Sequence, residues 1–284
     1  MEKQRSTDLA PSRKLDPVVR DELTARFGRC FESRPIGTSG NTWLIRSASE
    51  IIILKRLDNA RPMTLLVPLF DQLHQAAIGP RLRAVFETQK EWFVAFEFLS
   101  GELPPQSSES WQSLWPQAIA LLPRLAAITN LQLFDLSSYW MAVIGSFEFH
   151  DAPAESLKRR LQASSVPGPF GLAHGDFSPQ NFVPTANGLL LIDWESAGRA
   201  STAFDAGWLL VLAELGLTPQ RTPTQLIAAM EPLGLDSNAL KWSFRIGLLR
   251  LFWRARTLAI DSQGRAATMT RLRQLISREL EQAD

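Results

Sequence analysis

The sequence predicts an α+β fold in two parts, on three observations. The first hundred residues read as short strands bounded by turn residues around one helical run. A break rich in serine and proline runs from Ser100 to Ser110. Beyond it helical spacing dominates, with one short β region inside. The expected layout is a flexible tail over 1–14, a lobe at 15–100 built on an antiparallel sheet with one helix, and a mainly helical lobe at 101–284.

The elements follow in order. Cys30 to Pro35, Thr42 to Arg46 and Ile51 to Lys55 are strand-like runs, and Pro35-Ile36-Gly37-Thr38-Ser39-Gly40-Asn41 between the first two is a tight glycine turn. Leu65 to Ala77 has helical spacing and ends at the stop signal Gly79-Pro80. Leu82 to Phe86 and Trp92 to Phe98 supply two more strands. After the break come helices at Trp111 to Asn130 and Ala154 to Gln162. A β region follows over Asn181 to Ile192, with Asn187-Gly188 as its turn. Helices resume at Ala203 to Leu215, Pro223 to Met230, Ser237 to Ile260 and Gly264 to Glu281.

Composition removes several classes of function. The chain has 284 residues, 45% hydrophobic and 21% charged, with a formal net charge of +1. That is ordinary globular composition, with no global field for nucleic acid or a membrane surface. A single cysteine, Cys30, excludes an intrachain disulfide and a thiolate metal cluster. The N-terminus lacks the apolar core of a signal peptide, and no apolar run is long enough to span a bilayer. The expectation is a cytoplasmic protein with a small-molecule partner and no nucleic acid or membrane; oligomeric state is not legible.

The chemistry concentrates between Ala173 and Glu195. His174-Gly175-Asp176 is followed by Asn181, and the apolar run Leu189 to Ile192 ends in Asp193. Phosphoryl transfer needs positioning and charge stabilisation more than covalent help. A hydroxyl must lose its proton as it attacks, and a carboxylate such as Asp176 can take it. Magnesium prefers oxygen ligands and keeps waters, so an amide oxygen from Asn181 and a carboxylate from Asp193 suffice. The bland alternative makes both aspartates ordinary turn residues.

His174-Gly175-Asp176-Phe177-Ser178-Pro179-Gln180-Asn181 followed by Ile192-Asp193-Trp194-Glu195 resembles the aminoglycoside phosphotransferase and choline kinase superfamily, over roughly residues 28 to 260. The resemblance implies a bilobal protein-kinase-like fold, with ATP and Mg2+ as cofactors and a small-molecule hydroxyl as phosphate acceptor. The sheet lobe would bind the nucleotide; the helical lobe would carry the catalytic loop and acceptor site. Asp176 becomes the catalytic base, and Asn181 and Asp193 the metal ligands. His174 would brace the loop from within, and Glu195 is either near the metal or a plain surface carboxylate. Asp205 matches an aspartate that ties its helix to the catalytic loop, a role compatible with an N-cap.

In the first lobe, Gly37, Thr38, Ser39, Gly40 and Asn41 resemble a phosphate-covering loop whose backbone N–H groups face the nucleotide. Lys55, at the end of Ile51-Ile52-Ile53-Leu54, resembles the lysine that contacts the α- and β-phosphates. Arg56 competes, but strand alternation points it to the other face. Trp92 to Glu102 resembles the last strand and hinge, where backbone near Glu97 and Leu99 would meet adenine. One departure stands out. The helix glutamate that pairs with this lysine is missing, since no acidic residue lies between Asp58 and Asp71.

The acceptor is less legible. The Gly101-Glu102 hinge end, Tyr139-Trp140 and the tryptophan- and arginine-bearing C-terminal helix are closest in appearance to bacterial thiamine kinases. Tyr139-Trp140, and Trp242 with Ile246, Leu249 and Trp253 at helical spacing, could line an aromatic pocket for a thiamine- or choline-like amino alcohol. The reading favoured over a pocket is core, because Leu240, Phe244, Leu248 and Leu251 form a second stripe on the same helix and bury it on two sides. From Ala239 to Arg278 there are nine Lys or Arg and one acid, Asp261. That disfavours an aminoglycoside pocket and suits an anionic acceptor or a solvated basic face. The alternatives are an aminoglycoside or sugar/amino-sugar kinase, a nucleotide-binding pseudokinase module, and a metal-dependent hydrolase using the same carboxylates.

Overall fold

The computed structural model describes residues 15–36, 40–57, 63–88, 91–100, 108–128, 131–257 and 262–282. The tail over 1–14 and Gly37, Thr38 and Ser39 lie outside the described residues. The chain divides into two compact units, Met1–Ser100 and Gly101–Asp284.

The first unit opens with a helix the sequence reading does not mark, α1 (Pro17–Phe27). It starts as a helix should: the Asp16 carboxylate accepts the Val18 N–H at 2.8 Å, and Pro17 takes the first turn. Strands β1 (Cys30–Ile36), β2 (Thr42–Ser47) and β3 (Ile51–Leu57) lead to α2 (Met63–Gln75), then β4 (Leu82–Thr88) and β5 (Glu91–Glu97). The sheet has the order β1-β2-β3-β5-β4, and every neighbouring pair is antiparallel.

Strand alternation divides its two faces. Leu15, Val19, Leu23 and Phe27 cluster with Trp43, Ile45, Ile52, Leu54, Phe86 and Phe93, so α1 covers one face. On the other, Phe70 of α2 meets Phe96 edge-on at 5.0 Å. Lys55 lies opposite Thr42 and Val94 in the register and shares parity with Ile53, so it belongs to the α2 face. Arg56 falls on the α1 face, where its guanidinium bonds Glu91 at 2.9 Å and Asn41 at 2.5 Å.

The second unit carries α3 (Ser108–Ala126), α4 (Leu136–Ser146) and α5 (Ala152–Gln162), then four short strands: β6 (Phe170–Ala173), β7 (Phe182–Thr185), β8 (Gly188–Leu191) and β9 (Gly198–Ser201). β7 and β8 form a hairpin; β6 pairs antiparallel with β9. Helices α6 (Phe204–Glu214), α7 (Pro223–Met230), α8 (Ser237–Thr257) and α9 (Ser262–Glu281) complete it. Every residue of α6 from Phe204 to Ala213 is buried. α6 packs on α8 so closely that a Cβ on Gly207 would lie 2.5 Å from the Ser243 Cβ. Among the described residues no helix is long and apolar enough to cross a membrane.

The two stripes on α8 resolve towards core. Trp242, Ile246, Leu248 and Leu249 are all buried, and only Trp253 of the first stripe is half-exposed. Part of the basic surplus of this region is paired. Arg245 pairs with Glu279, Arg271 and Arg278 with Glu214, and Arg273 with Asp151. Those four arginines tie α9 and α8 to their neighbours, and Arg271, Arg273 and Arg278 stay half-exposed while doing so.

Candidate active site

Two hairpin-like pairings build the site within the second unit. β6 delivers the chain into the loop His174 to Asn181, which passes through a short 3-10 turn, Pro179–Asn181, into β7. The β7–β8 hairpin returns it to Asp193. The Asn181 carbonyl accepts the Ile192 N–H at 2.9 Å, so residue 193 follows directly beside residue 181.

The loop is held at both backbone groups of Gly175 and Asp176 and at the His174 N–H. The buried Asp205 carboxylate accepts the His174 N–H at 2.6 Å and the Gly175 N–H at 2.9 Å. Asp205 is not an N-cap: that position is Ala203, and the aspartate instead turns from the first turn of α6 into the loop. Burial pushes its carboxyl above the usual carboxylate range, while the two N–H groups it accepts and Arg250 pull against that. The Nδ1 of His174 accepts the Asp176 N–H at 3.2 Å, and its Nε2 lies 2.8 Å from the Ile192 carbonyl. These bonds assign a neutral ring with the proton on Nε2. The ring also stacks edge-on against Trp194 at 4.5 Å.

Asn181 is buried and donates from Nδ2 to the Asp176 carbonyl at 2.8 Å, with Asp176 Oδ2 at 3.5 Å. Its amide nitrogen is thereby committed, and Oδ1 is the atom left to act as acceptor. Asp193 adopts the left-handed conformation, φ +68°, which aspartate tolerates better than most residues. Asp176, Asn181 and Asp193 are thus brought together; Glu195 is exposed, in the short turn Trp194–Ser196. Oxygen donors of this kind fit magnesium rather than a soft metal. Among the described residues no cluster of three or more His, Cys, Asp or Glu forms a self-sufficient metal site.

Sequence reasoning missed one residue here. Arg250 of α8 is 1% exposed. Its guanidinium lies between the Trp140 and Trp208 rings, at 4.6 and 4.3 Å. Nη1 donates to the Gly175 carbonyl, and Nη2 sits 3.7 Å from Asp176 Oδ1. Arg254, one turn on, approaches the same oxygen at 3.9 Å. Burial first, then Arg254, pull the Arg250 guanidinium down to about 9, which leaves it protonated at neutral pH.

The remaining predicted residues belong to the first unit. Lys55 is half-buried in β3. Gly40 has φ +66°, and the Asn41 side chain is engaged by Arg56. Glu97 closes β5, its carboxylate accepting the Arg81 N–H at 2.8 Å; Leu99 follows as irregular chain. The single acid of α2, Asp71, is exposed.

Comparison with known proteins identifies the fold and the family. The chain is 29% identical to the thiamine kinase of Shigella boydii over 215 residues, covering 69% of this chain and 72% of the relative. A choline kinase from Streptococcus pneumoniae shares the fold, with TM-score 0.69, 12% identity and coverage of 92% and 98% of the two chains. So does an aminoglycoside phosphotransferase crystallised with ADP and hygromycin B, with TM-score 0.68, 14% identity and the same coverage. The profile of the phosphotransferase enzyme family matches residues 35–231, more than two thirds of the sequence, and this chain belongs to that family.

Proposed function

We propose that this chain is a small-molecule kinase that transfers the γ-phosphoryl group of ATP to the hydroxyl of a thiamine- or choline-like amino alcohol. The observation that carries the reading is the loop itself. It presents a partly exposed Asp176 carboxylate, its side chain 18% accessible, beside Asn181, and the backbone bond from Ile192 to Asn181 brings the chain back to Asp193. The 29% identity to a thiamine kinase supports the acceptor class.

In this mechanism the acceptor oxygen attacks the γ-phosphorus, the bond to the β–γ bridging oxygen breaks, and ADP leaves. Asp176 accepts the hydroxyl proton as the new P–O bond forms. Asn181 Oδ1 and the Asp193 carboxylate would hold Mg2+, which when bound supplies charge neutralisation to the phosphates. Lys55 would contact the α- and β-phosphates, and backbone N–H groups over Gly37–Asn41 would cover them. Main-chain groups near Glu97 and Leu99 would meet the adenine. His174 and Asp205 keep the loop in register, and Glu195 remains a candidate for an outer role near the metal.

The test uses ATP and thiamine with the purified chain. Asp176→Ala should reduce thiamine phosphate formation by about 10²–10⁴-fold while Mg-ATP still raises the melting temperature. Unchanged turnover removes Asp176 from this role. The pseudokinase reading draws on α2, which offers no glutamate for Lys55. It would win if Mg-ATP stabilised the protein without turnover across thiamine, choline, ethanolamine, amino sugars, hexoses and aminoglycosides.

A further inference from the structure

Arg250 is an expensive residue in its position. A guanidinium taken fully out of water costs several kcal/mol before its partners repay it, of order what a buried ion loses in general. Here repayment is incomplete: Nε and Nη2 are buried without a hydrogen-bond partner. For packing alone, an apolar side chain of similar volume between two indoles would serve as well or better. What only the guanidinium supplies is a directed N–H to the Gly175 carbonyl and a charge facing Asp176.

The anchoring of the loop shows what that N–H achieves. The Gly175 N–H is fixed by Asp205, the Asp176 N–H by His174 Nδ1, and the Asp176 carbonyl by Asn181. The Gly175 carbonyl, on the peptide that leads into Asp176, completes the set, and Arg250 is the side chain that holds it. The Trp140 and Trp208 rings clamp the guanidinium plane from both sides, so the donor direction is set by α4 and α6 together. The other three anchors fall within residues 35–231, where the family profile matches; Arg250 lies beyond it, on α8.

We propose that Arg250 is a positioning residue for phosphoryl transfer: clamped between Trp140 and Trp208, it fixes the Gly175–Asp176 peptide and so aims the Asp176 carboxylate at the incoming hydroxyl. The proposal rests on the kinase reading above. A misplacement of a reacting group by about 1 Å can cost on the order of 10²-fold in rate, so a single peptide anchor can matter this much.

The experiment compares the full chain with Arg250→Met, Arg250→Lys and Arg245→Met, below their melting temperatures, with Mg-ATP and thiamine. Arg245 is the control, a half-buried arginine of α8 whose partner, Glu279, belongs to α9 and not to the loop. Arg250→Met should lose about 10²-fold in kcat, with KM for ATP within about threefold of wild type. Arg250→Lys, which can still donate to the carbonyl, should recover part of kcat. Arg245→Met should lose stability but keep kcat. Hydrogen exchange gives a readout independent of turnover: peptides spanning 172–182 should lose protection in Arg250→Met while those within α6 keep it. A kcat near wild type in Arg250→Met, or an equal loss in Arg245→Met, overturns the proposal. If wild type phosphorylates no thiamine, the acceptor reading fails separately, and unchanged protection at 172–182 would then overturn this one.

Discussion

At the scale of single residues, Gly175 is where the loop has least freedom. Its φ is +81°, and a Cβ there would overlap the Ser196 carbonyl and lie 3.1 Å from Leu136 Cδ2. Gly216 has a comparable φ of +68° but open space around it. Gly216→Ala should therefore cost only the backbone preference, about 1 kcal/mol. Gly175→Ala adds overpacking of about 1–3 kcal/mol to that and should displace Asp176. Urea unfolding should separate the two variants, and equal midpoints would show that the Ser196 contact relaxes. The aspartates and Asn181 were legible because their spacing is short and fixed along the chain. Arg250 was not, because its partner is 75 residues away and the sequence shows only an arginine in an apolar helix.

At the scale of elements, the junction between α6 and the loop is the decisive contact. One carboxylate serves two N–H groups there, and both need an acceptor. Asp205→Asn keeps one acceptor but aims an amide N–H₂ at the second donor. The expected cost is about 1–3 kcal/mol, read as a lowered denaturation midpoint, with a parallel loss of turnover. An unchanged midpoint would mean that α6 is held elsewhere. α6 itself was evident from its start at Ala203, but four other elements were not. In α1 only Val19, Leu23 and Phe27 turn inward, among charged neighbours, so the stripe is thin, although Asp16-Pro17 is a sound start signal. α4 buries Leu136, Trp140 and Ile144 at a four-residue spacing, but Tyr139, Met141 and Val143 stand between them and blur the stripe. β6 and β9 are four residues each, too short for alternation to register.

Across the whole molecule, charge was the least transparent property. The arginines clustered near the C-terminus suggested a basic surface, but four of them pair with Glu214, Asp151 and Glu279, acids set far from them along the chain. Composition reports how many charges exist and not which are paired across the fold. The same holds for the tryptophans: Trp140, Trp208 and Trp242 are buried, so their abundance reflects core and clamp more than an open aromatic pocket. Acceptor choice therefore has to be found by assay rather than by counting residue types.

The helix laid across the first sheet has a practical corollary for anyone shortening this protein. The family profile begins at residue 35, and trimming to that limit deletes α1 entirely. It would bare Trp43, Ile45, Ile52, Leu54 and Phe93 together, and forfeit about 1.5–3 kcal/mol for each of Val19, Leu23 and Phe27. A recombinant fragment starting at Pro35 should accumulate in inclusion bodies or elute as aggregate on gel filtration, whereas the intact chain elutes cleanly. A well-behaved, active fragment would mean that the greasy sheet surface finds other cover.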